Sequence, residues 1–429
     1  MDKDLVAIGG FVVLFILMVL RVPVGIAMGV VGVGGFGLLT NWKAAFGLLA
    51  QSPFSTVTSF NLSVIPMFVL MGTFAGAAGI SRDLFAASRA WVGHLHGGLA
   101  LATIAACGGF AAINGSSVAT AATMTQIALP ELRRAGYSPK ISTGLIAAGG
   151  TLGIMIPPSV IFVLYSIMTD VDLTKLFISG ILPGILGMLM YMVTILIIGA
   201  KDMPRDAPHS WSERFLALRG VWPALALFLF VIGGMYGGIF TVTEAAGVGA
   251  VGALLIGVAQ GRLGWAAIME CLVSALRTTS AIFMIVIGAY LFGYFLTVSQ
   301  TPQHVIEFLV NLPIGPYGVL VLVLAGYFVL GALMDELAMI LITVPIVFPA
   351  MMQLGFDPVW FGVIIVMTCV LGLICPPVGM NVFVVNSLAP DIKLCTIYRG
   401  VMPFIVCDLI RLLLLCLFPG IALLLPSLM

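Results

Sequence analysis

Charged side chains are scarce in this sequence. Asp, Glu, Lys and Arg make up 8% of its 429 residues, whereas the hydrophobic class makes up 61%. A soluble domain could not bury that much apolar surface, so a soluble protein is excluded. The long apolar runs instead predict an all-α polytopic membrane protein in a lipid bilayer. The formal net charge of +1 also argues against a nucleic-acid partner.

Several chemical signatures are absent as well. The sequence has no H-E-x-x-H, G-x-S-x-G or P-loop motif, and its four histidines lie in predicted loops or at segment ends. Its seven cysteines form no C-x-x-C pair, which favours buried thiols over disulfides or a metal site. These absences argue against an enzyme. The first apolar segment lacks a small-residue cleavage site after it, so we expect a retained span rather than a signal peptide.

A Pro-Pro motif, in contrast, occurs twice. The copies are GGTLGIMIPPS at 149–159 and VLGLICPPVGMN at 370–381, each inside an apolar stretch long enough to cross a bilayer. A Pro pair removes two backbone donors and keeps the preceding residue out of helical geometry. Because freed backbone groups are costly in hydrocarbon, such a break is expected only where it faces protein or a polar cavity. The motif therefore predicts two broken helices of the kind that bind ions and substrates in transporters.

Both motifs belong to a longer internal repeat. An offset of 219 residues places all four prolines between 130 and 158 on prolines, and it places Gly136 on Gly355 and Gly153 on Gly372. Since proline makes up about 5% of average sequence, chance would give this match roughly once in 10⁵ at one fixed offset. We predict two repeats, residues 1–200 and 220–429, joined by a cytoplasmic linker over 201–219.

Each repeat also has a predicted re-entrant hairpin before its broken helix. The first hairpin covers about 97–130, with its tip at 114–117, and the broken helix follows at about 141–168. The second covers about 315–351, with its tip at 334–336, and the broken helix follows at about 359–386. The limb over 118–130 would rise only roughly 20 Å against a hydrocarbon core of about 30 Å. The alternative is two short spans joined by an extramembrane Gly-Ser loop.

The basic residues sort to one side of this topology. With five crossings in each repeat, the repeats are inverted relative to one another and both termini share one side. Fourteen of the 18 Lys and Arg residues, Arg82 and Arg219 among them, fall on the opposite side, and Arg411 lies within the last span. The positive-inside rule then makes the terminal side external, so both termini are predicted to be periplasmic.

Two tips and two breaks are expected to meet near the midplane of the membrane. Helix ends that bear carbonyls suit a small cation, and helix ends that bear N–H groups suit an anion. The candidates for the first cation site are Asn114, Ser116, Ser117, Gly153, Ile156 and Pro157. The candidates for the second are Met334, Asp335, Gly372, Cys375 and Pro376. The expected substrate contacts are Gly115, Ser116, Pro158, Ser159, Pro377, Gly379 and Asn381. The alternative is that the glycines only pack helices and the prolines are structural kinks.

Each of the other charged residues near the apolar segments has two interpretations. Glu244 is either an ion-pathway carboxylate or part of an N-terminal cap of the Thr-x-x-Glu type with Thr241. Asp408 and Arg411 are three residues apart and would share one helix face, as a structural pair or an interfacial anchor.

Five segments together resemble the large membrane subunit of the TRAP transporters (tripartite ATP-independent periplasmic transporters). They are NGSSVAT at 114–120, the motif at 149–159, GIFTVTEAAG at 238–247, MDELAMILITVP at 334–345 and CPPVGMNVFV at 375–384. The resemblance covers nearly the whole chain. It implies an elevator-type importer in the bacterial inner membrane, with sodium ions as coupling ions and no other cofactor. The implied substrates are organic anions, often C4-dicarboxylates or sugar acids such as sialic acid. The implied partners are a periplasmic substrate-binding protein and a separate small four-helix membrane subunit.

The sequence departs from the pattern of this family at three positions. Val242 stands where proline is common, Cys375 where threonine is common, and Glu336 where a small residue is common. A thiol at 375 weakens side-chain coordination of sodium there, whereas a backbone carbonyl would still serve. Two alternative functions stay open: a stand-alone anion carrier of the same plan, and an ion channel with re-entrant filter loops. Two unlike tips in one chain argue against the channel.

Overall fold

The chain is described by a computed structural model at residues 3–199, 204 and 206–429, and these residues form helices without a β-strand. The helices of the first repeat are α1 (Lys3–Val19), α2 (Val24–Leu39), α3 (Trp42–Val57), α4 (Val64–Ala77), α5 (Ile80–Val92), α6 (Gly98–Asn114), α7 (Ser117–Arg134), α8 (Pro139–Gly150), α9 (Leu152–Met155), α10 (Val160–Thr169) and α11 (Leu173–Gly199). A 3₁₀ turn, Phe60–Ser63, precedes α4.

The second repeat follows the predicted linker. Its helices are α12 (Trp211–Tyr236), α13 (Val242–Ala259), α14 (Trp265–Ser299), α15 (Thr301–Val310), α16 (Gly315–Gly331), α17 (Glu336–Gln353), α18 (Pro358–Gly372), α19 (Met380–Leu388), α20 (Leu394–Leu417) and α21 (Gly420–Leu423), before a 3₁₀ turn at Pro426–Leu428. Residues 201–203 and 205 of the linker lie outside the described residues. Its last part is helical, because Ser210 and Glu213 form a capping box that starts α12.

Helices of the two halves correspond in order at the 219-residue offset. Both α8 and α18 begin with a proline behind a capping side chain, Ser138 in one case and Asp357 in the other. Contacts between the halves are reciprocal, since α2 packs on α14 as α13 packs on α4, and α7 packs on α19 as α17 packs on α10. This exchange pattern is that of two related halves packed around a pseudo-two-fold axis. Their inversion relative to the membrane stays a prediction.

The halves differ where one long helix replaces two shorter ones. In the register of α3 and α4, the second half has the continuous 35-residue helix α14, which begins at Trp265. The sequence predicted a span only over about 276–299 in this region. A helix of 35 residues rises about 52 Å and therefore extends well beyond that core. Helix α15, in the register of α5, was not predicted.

The lengths of the helices revise one argument for re-entrance. Seven helical segments among the described residues are long and apolar enough to cross a membrane, or eight if the bent pair Pro139–Met155 and Val160–Thr169 counts as one span. Segment α17 is one of these seven. Segment α7 has 18 residues because it continues through Pro130 to Arg134, and it rises about 27 Å. The predicted limb over 118–130 was therefore too short, and limb length no longer supports a re-entrant hairpin, which stays a prediction.

Polar contacts at the helix ends join elements that are distant in sequence. Arg89 of α5 pairs with Asp206 at 2.6 Å and with Glu131 at 2.9 Å. Arg133 pairs with Asp391 at 2.9 Å, which links the first half to the turn before α20. The hydrogen bond from Arg133 lowers the pKa of Asp391 below its usual range.

Candidate ion and substrate site

The first hairpin turns on two residues. Helix α6 ends at Asn114, and Gly115 takes φ +65°, where a side chain would meet the carbonyl of Pro158. The side chain of Ser116 then caps α7 by accepting from the backbone N–H of Ala119 at 3.3 Å. The predicted tip residues therefore form the reversal between α6 and α7.

The first tip rests directly on the first break. Helix α9 ends at Met155, residues 156–159 are buried and non-helical, and α10 begins at Val160. A Cβ on Gly153 would lie 2.7 Å from the carbonyl oxygen of Ser116, so this glycine permits the close approach of the tip. Ser159 Oγ is buried and has no hydrogen-bond partner. Buried orphan polar atoms of this kind suit a bound ion or polar ligand.

The second hairpin has an acidic tip. Helix α16 ends at Gly331, and Asp335 caps α17 because its Oδ1 accepts from the backbone N–H of Leu337 at 3.0 Å. Glu336 has a buried Oε2 without a hydrogen-bond partner. Just before this tip, the carbonyl oxygen of Gly331 would lie 2.6 Å from a Cβ on Gly372. Helix α16 and the end of α18 are therefore in backbone contact.

The two breaks are alike in backbone and different in exposure. Both Pro-Pro bonds, Pro157–Pro158 and Pro376–Pro377, are cis. The first pair is buried, whereas Pro376 and Pro377 are exposed. The Tyr398 hydroxyl contacts the carbonyl oxygens of Pro377 at 2.9 Å and Val378 at 2.7 Å. Of the other predicted residues there, Cys375 and Gly379 are buried and Met334 is half-buried.

Asn381 ties the second broken helix to the first hairpin. Its Nδ2 donates to Ser117 Oγ at 2.6 Å and to the carbonyl oxygen of Ala147 at 3.0 Å. The side chain is fully buried, and its Oδ1 has no partner. The unpaired acceptor lies beside the first tip, at the predicted first cation site.

A cavity of about 600 Å³ lies between the two tips and the helices α2, α4 and α14. Its polar lining is Asn114, Ser116, Ser117, Asp335 and Glu336 from the tips, with Thr73, Ser274 and Thr278 from α4 and α14. Among the described residues that line it, two are acidic and none is basic. The cavity therefore offers hydroxyl, amide and carboxylate groups, and it lacks a cationic side chain that could hold an anion.

Only part of the predicted site lines this cavity. Asn114, Gly115, Ser116, Ser117 and Asp335 do. The remaining predicted residues do not line it, namely Gly153, Ile156, Pro157, Pro158, Ser159, Met334, Gly372, Cys375, Pro376, Pro377, Gly379 and Asn381. Sequence reasoning gave the hydroxyls of α4 and α14 no role. The spacing of Ser274 and Thr278 was a usable signal, because residues four apart share one helix face.

The other charged residues near the apolar segments have structural roles. Glu244 and Thr241 form a capping box at the start of α13, which confirms the cap reading. Asp408 and Arg411 are 0% and 1% exposed and pair at 2.9 Å, so they form a buried pair rather than an interfacial anchor.

A helical membrane protein with two hairpin tips, two broken helices and a polar cavity between them is a transporter permease in plan. The chain belongs to the family "Tripartite ATP-independent periplasmic transporter, DctM component", whose family model matches residues 11–421. The "C4-dicarboxylate TRAP transporter large permease protein DctM" of Pseudomonas aeruginosa is 36% identical over 88% of this chain and 89% of its own length. The "Sialic acid TRAP transporter large permease protein SiaM" of Vibrio cholerae is 33% identical over 95% of each.

The fold also has a counterpart among solved structures. The Alcanivorax borkumensis YdaH transporter, described as having an unusual topology, superposes with a TM-score of 0.59 at 16% identity, over 88% of this chain and 89% of that one. At this identity the likeness shows a shared fold alone.

Proposed function

We propose that the chain is the large permease of a sodium-driven importer of an organic acid. Two similar proteins are described by name as transporters of C4-dicarboxylate and of sialic acid, so a carboxylate is the proposed substrate class. The description of the family names a tripartite transporter. The proposed partners are a periplasmic binding protein, which would deliver the acid, and a separate small membrane subunit.

One observation carries the sodium coupling. The cavity between the tips is lined by Asp335 and Glu336 and by no described basic residue. A single ionised carboxylate about 4 Å from a bare anion would repel it by about 4 kcal/mol at an effective dielectric of 20. Cations bound at the two tips would reverse that field. An acid substrate would then bind only with its coupling ions.

The residues present fit such cations at the first tip. Asn381 Oδ1 and Ser159 Oγ are buried acceptors without partners, and the first break frees backbone carbonyls beside them. Asn114, Ser116, Ser117, Gly153, Ile156 and Pro157 would hold one sodium ion there. Met334, Asp335, Gly372, Cys375 and Pro376 would hold the other, with Cys375 contributing its carbonyl rather than its thiol.

The movement we propose is an elevator step. The cavity lies on the boundary between the hairpins with their broken helices and the helices α2, α4 and α14. Sliding of the first group along the second would carry the cavity from one side of the membrane to the other. Ions and substrate would travel with it.

Uptake in proteoliposomes tests this function. Radiolabelled succinate and sialic acid are offered with and without an inward sodium gradient, to this chain alone and to the chain with its small subunit and binding protein. Sodium-dependent uptake only in the complete mixture is the expected result. Sodium-dependent uptake by the chain alone would indicate a stand-alone carrier. Flux indifferent to sodium would contradict the coupling.

A further inference from the structure

A second, smaller cavity lies next to the first. It has a volume of about 350 Å³ and lies between α4, the start of α5 and α7. Its lining includes Gly76, Ser81, Arg82, Thr123, Gln126 and Ile127.

The two cavities follow each other along the same pair of helices. On α7, Ala119 and Ala122 line the first cavity, and Thr123 and Gln126 line the second. On α4, Thr73 lines the first cavity and the residues beginning at Gly76 line the second. Seven residues separate Ala119 from Gln126, a rise of about 10 Å. The second cavity therefore lies farther from the tips than the first, towards the side predicted to be cytoplasmic.

The charge of the second cavity is opposite to that of the first. Arg82 is its one charged lining residue among those described, is exposed, and has no ion pair with a described residue. The neighbouring carboxylate, Asp83, is already paired with Arg262, which also donates to the carbonyl oxygen of Ala78 at 3.0 Å. A free guanidinium beside two hydroxyls and an amide is a suitable set of donors for a carboxylate.

We propose that this second cavity is a release site for the transported organic acid, with Arg82 as its anion-binding residue. The inference rests on the proposed function. When the cations leave the first cavity, its acidic tip repels the remaining anion, and Arg82 attracts it across the rise of about 10 Å between the two cavities. The acid passes between α4 and α7 to Arg82 and from there into water. Ser81, Thr123 and Gln126 offer its carboxylate further hydrogen bonds.

Thiol chemistry tests the cavity without any need for transport. Thr123→Cys is introduced in a Cys395→Ser background, because Cys395 is an exposed thiol. The purified chain is labelled with negatively charged sulfonatoethyl methanethiosulfonate and with neutral methyl methanethiosulfonate. Arg82→Gln should lower the ratio of the two rates about three- to tenfold, and Arg82→Lys should retain it. Arg219→Gln is the matched control, since Arg219 is exposed on the same predicted side and lines neither cavity.

Product inhibition tests the release step itself. Proteoliposomes that contain the complete transporter are loaded with increasing unlabelled succinate, or with sialic acid if that is the acid taken up. Arg82→Gln should raise, about tenfold, the internal concentration of unlabelled acid that halves uptake, because the variant loses one charged contact with the acid. The dependence of uptake on sodium should not change. An unchanged labelling ratio or an unchanged internal inhibition overturns the proposal and leaves Arg82 an interfacial anchor. Absence of sodium-dependent uptake in the unmodified chain instead contradicts the proposed function, and the labelling ratio still decides whether Arg82 makes an anion site.

Discussion

At the scale of single residues, buried charged side chains depend most on their partners. Arg411 and Asp408 lie inside α20, and Tyr191 of α11 donates to Asp408 Oδ2 at 2.5 Å. The Tyr191 hydroxyl also contacts Thr151 Oγ1 at 3.0 Å, just before the first break. Ionised groups are costly inside a membrane protein unless they are paired. This chain of contacts therefore connects a buried ion pair to the first broken helix.

Removal of one partner should be severe. Asp408→Ala leaves the Arg411 charge buried and uncompensated, and we expect a loss of about 3–5 kcal/mol in the free energy of unfolding. The measurement is thermal unfolding of the purified chain in detergent, followed by tryptophan fluorescence. Arg134→Ala, which breaks an exposed pair with Glu131, should cost less than about 1 kcal/mol. Equal losses in the two variants would contradict the assignment.

Asn381 offers a second test at this scale. Because its Nδ2 donates to Ser117 Oγ across the two halves, Asn381→Ala and Ser117→Ala should not be additive. We expect a coupling of about 0.5–3 kcal/mol in a double-mutant cycle of unfolding free energies. Additive single effects would show that the contact contributes nothing. Conversely, coupling with unchanged uptake would make the contact structural only.

At the scale of elements, two helices meet through glycine. Helix α8 packs on α20 so closely that a Cβ on Gly144 would lie 2.7 Å from the Cα of Gly400. A Cβ on Gly47 of α3 would meet no atom within 4 Å. We expect Gly144→Ala to destabilise the protein by about 1–3 kcal/mol and Gly47→Ala to stabilise it by about 0.5–1 kcal/mol. Thermal unfolding of the purified chain in detergent again measures both effects. Stability changes of the same sign in the two variants would contradict the close packing of α8 on α20.

The breaks themselves are the second test of elements. Pro157→Ala and Pro376→Ala each restore a backbone donor and relax the residue before it, so the helix can extend into the break. Uptake should fall at least about tenfold, with abundance in the membrane within about twofold of the unmodified protein. Normal uptake in both variants would remove the breaks from the mechanism. Abundance measured by immunoblot of membranes is the control.

For the whole molecule, the inverted topology is the prediction that matters most. Ser138 and Asp357 are exposed, stand at equivalent positions of the two repeats and cap α8 and α18. In a Cys395→Ser background, an impermeant thiol reagent should reach Ser138→Cys and Asp357→Cys from opposite sides of the membrane, because an inverted repeat places equivalent positions on opposite sides. Labelling of both from one side only, under sodium and without it, would reject the inversion.

Much of this plan is local in origin and could be predicted. Apolar runs specify membrane helices, and two adjacent prolines break a helix wherever they stand. The internal repeat also predicted that each hairpin tip lies at the broken helix of its own half. The contacts of Gly115 with Pro158 and of Gly331 with Gly372 agree with that pairing. Helix ends were predicted less well, since Pro130 lies inside α7 and α14 begins at Trp265.

The sequence by itself determined the class of protein, the repeat and the positions of the breaks, because each depends on neighbours along the chain. Only the tertiary structure decided which groups share a cavity. Thr73, Ser274 and Thr278 face the tips because α4 and α14 pack beside them, and Asn381 faces Ser117 instead of lining the cavity. Tertiary packing also decided that Pro376 is exposed, whereas Pro157, its equivalent in the first repeat, is buried. Packing between distant segments depends on the shape of both surfaces, and a one-dimensional pattern does not encode that shape.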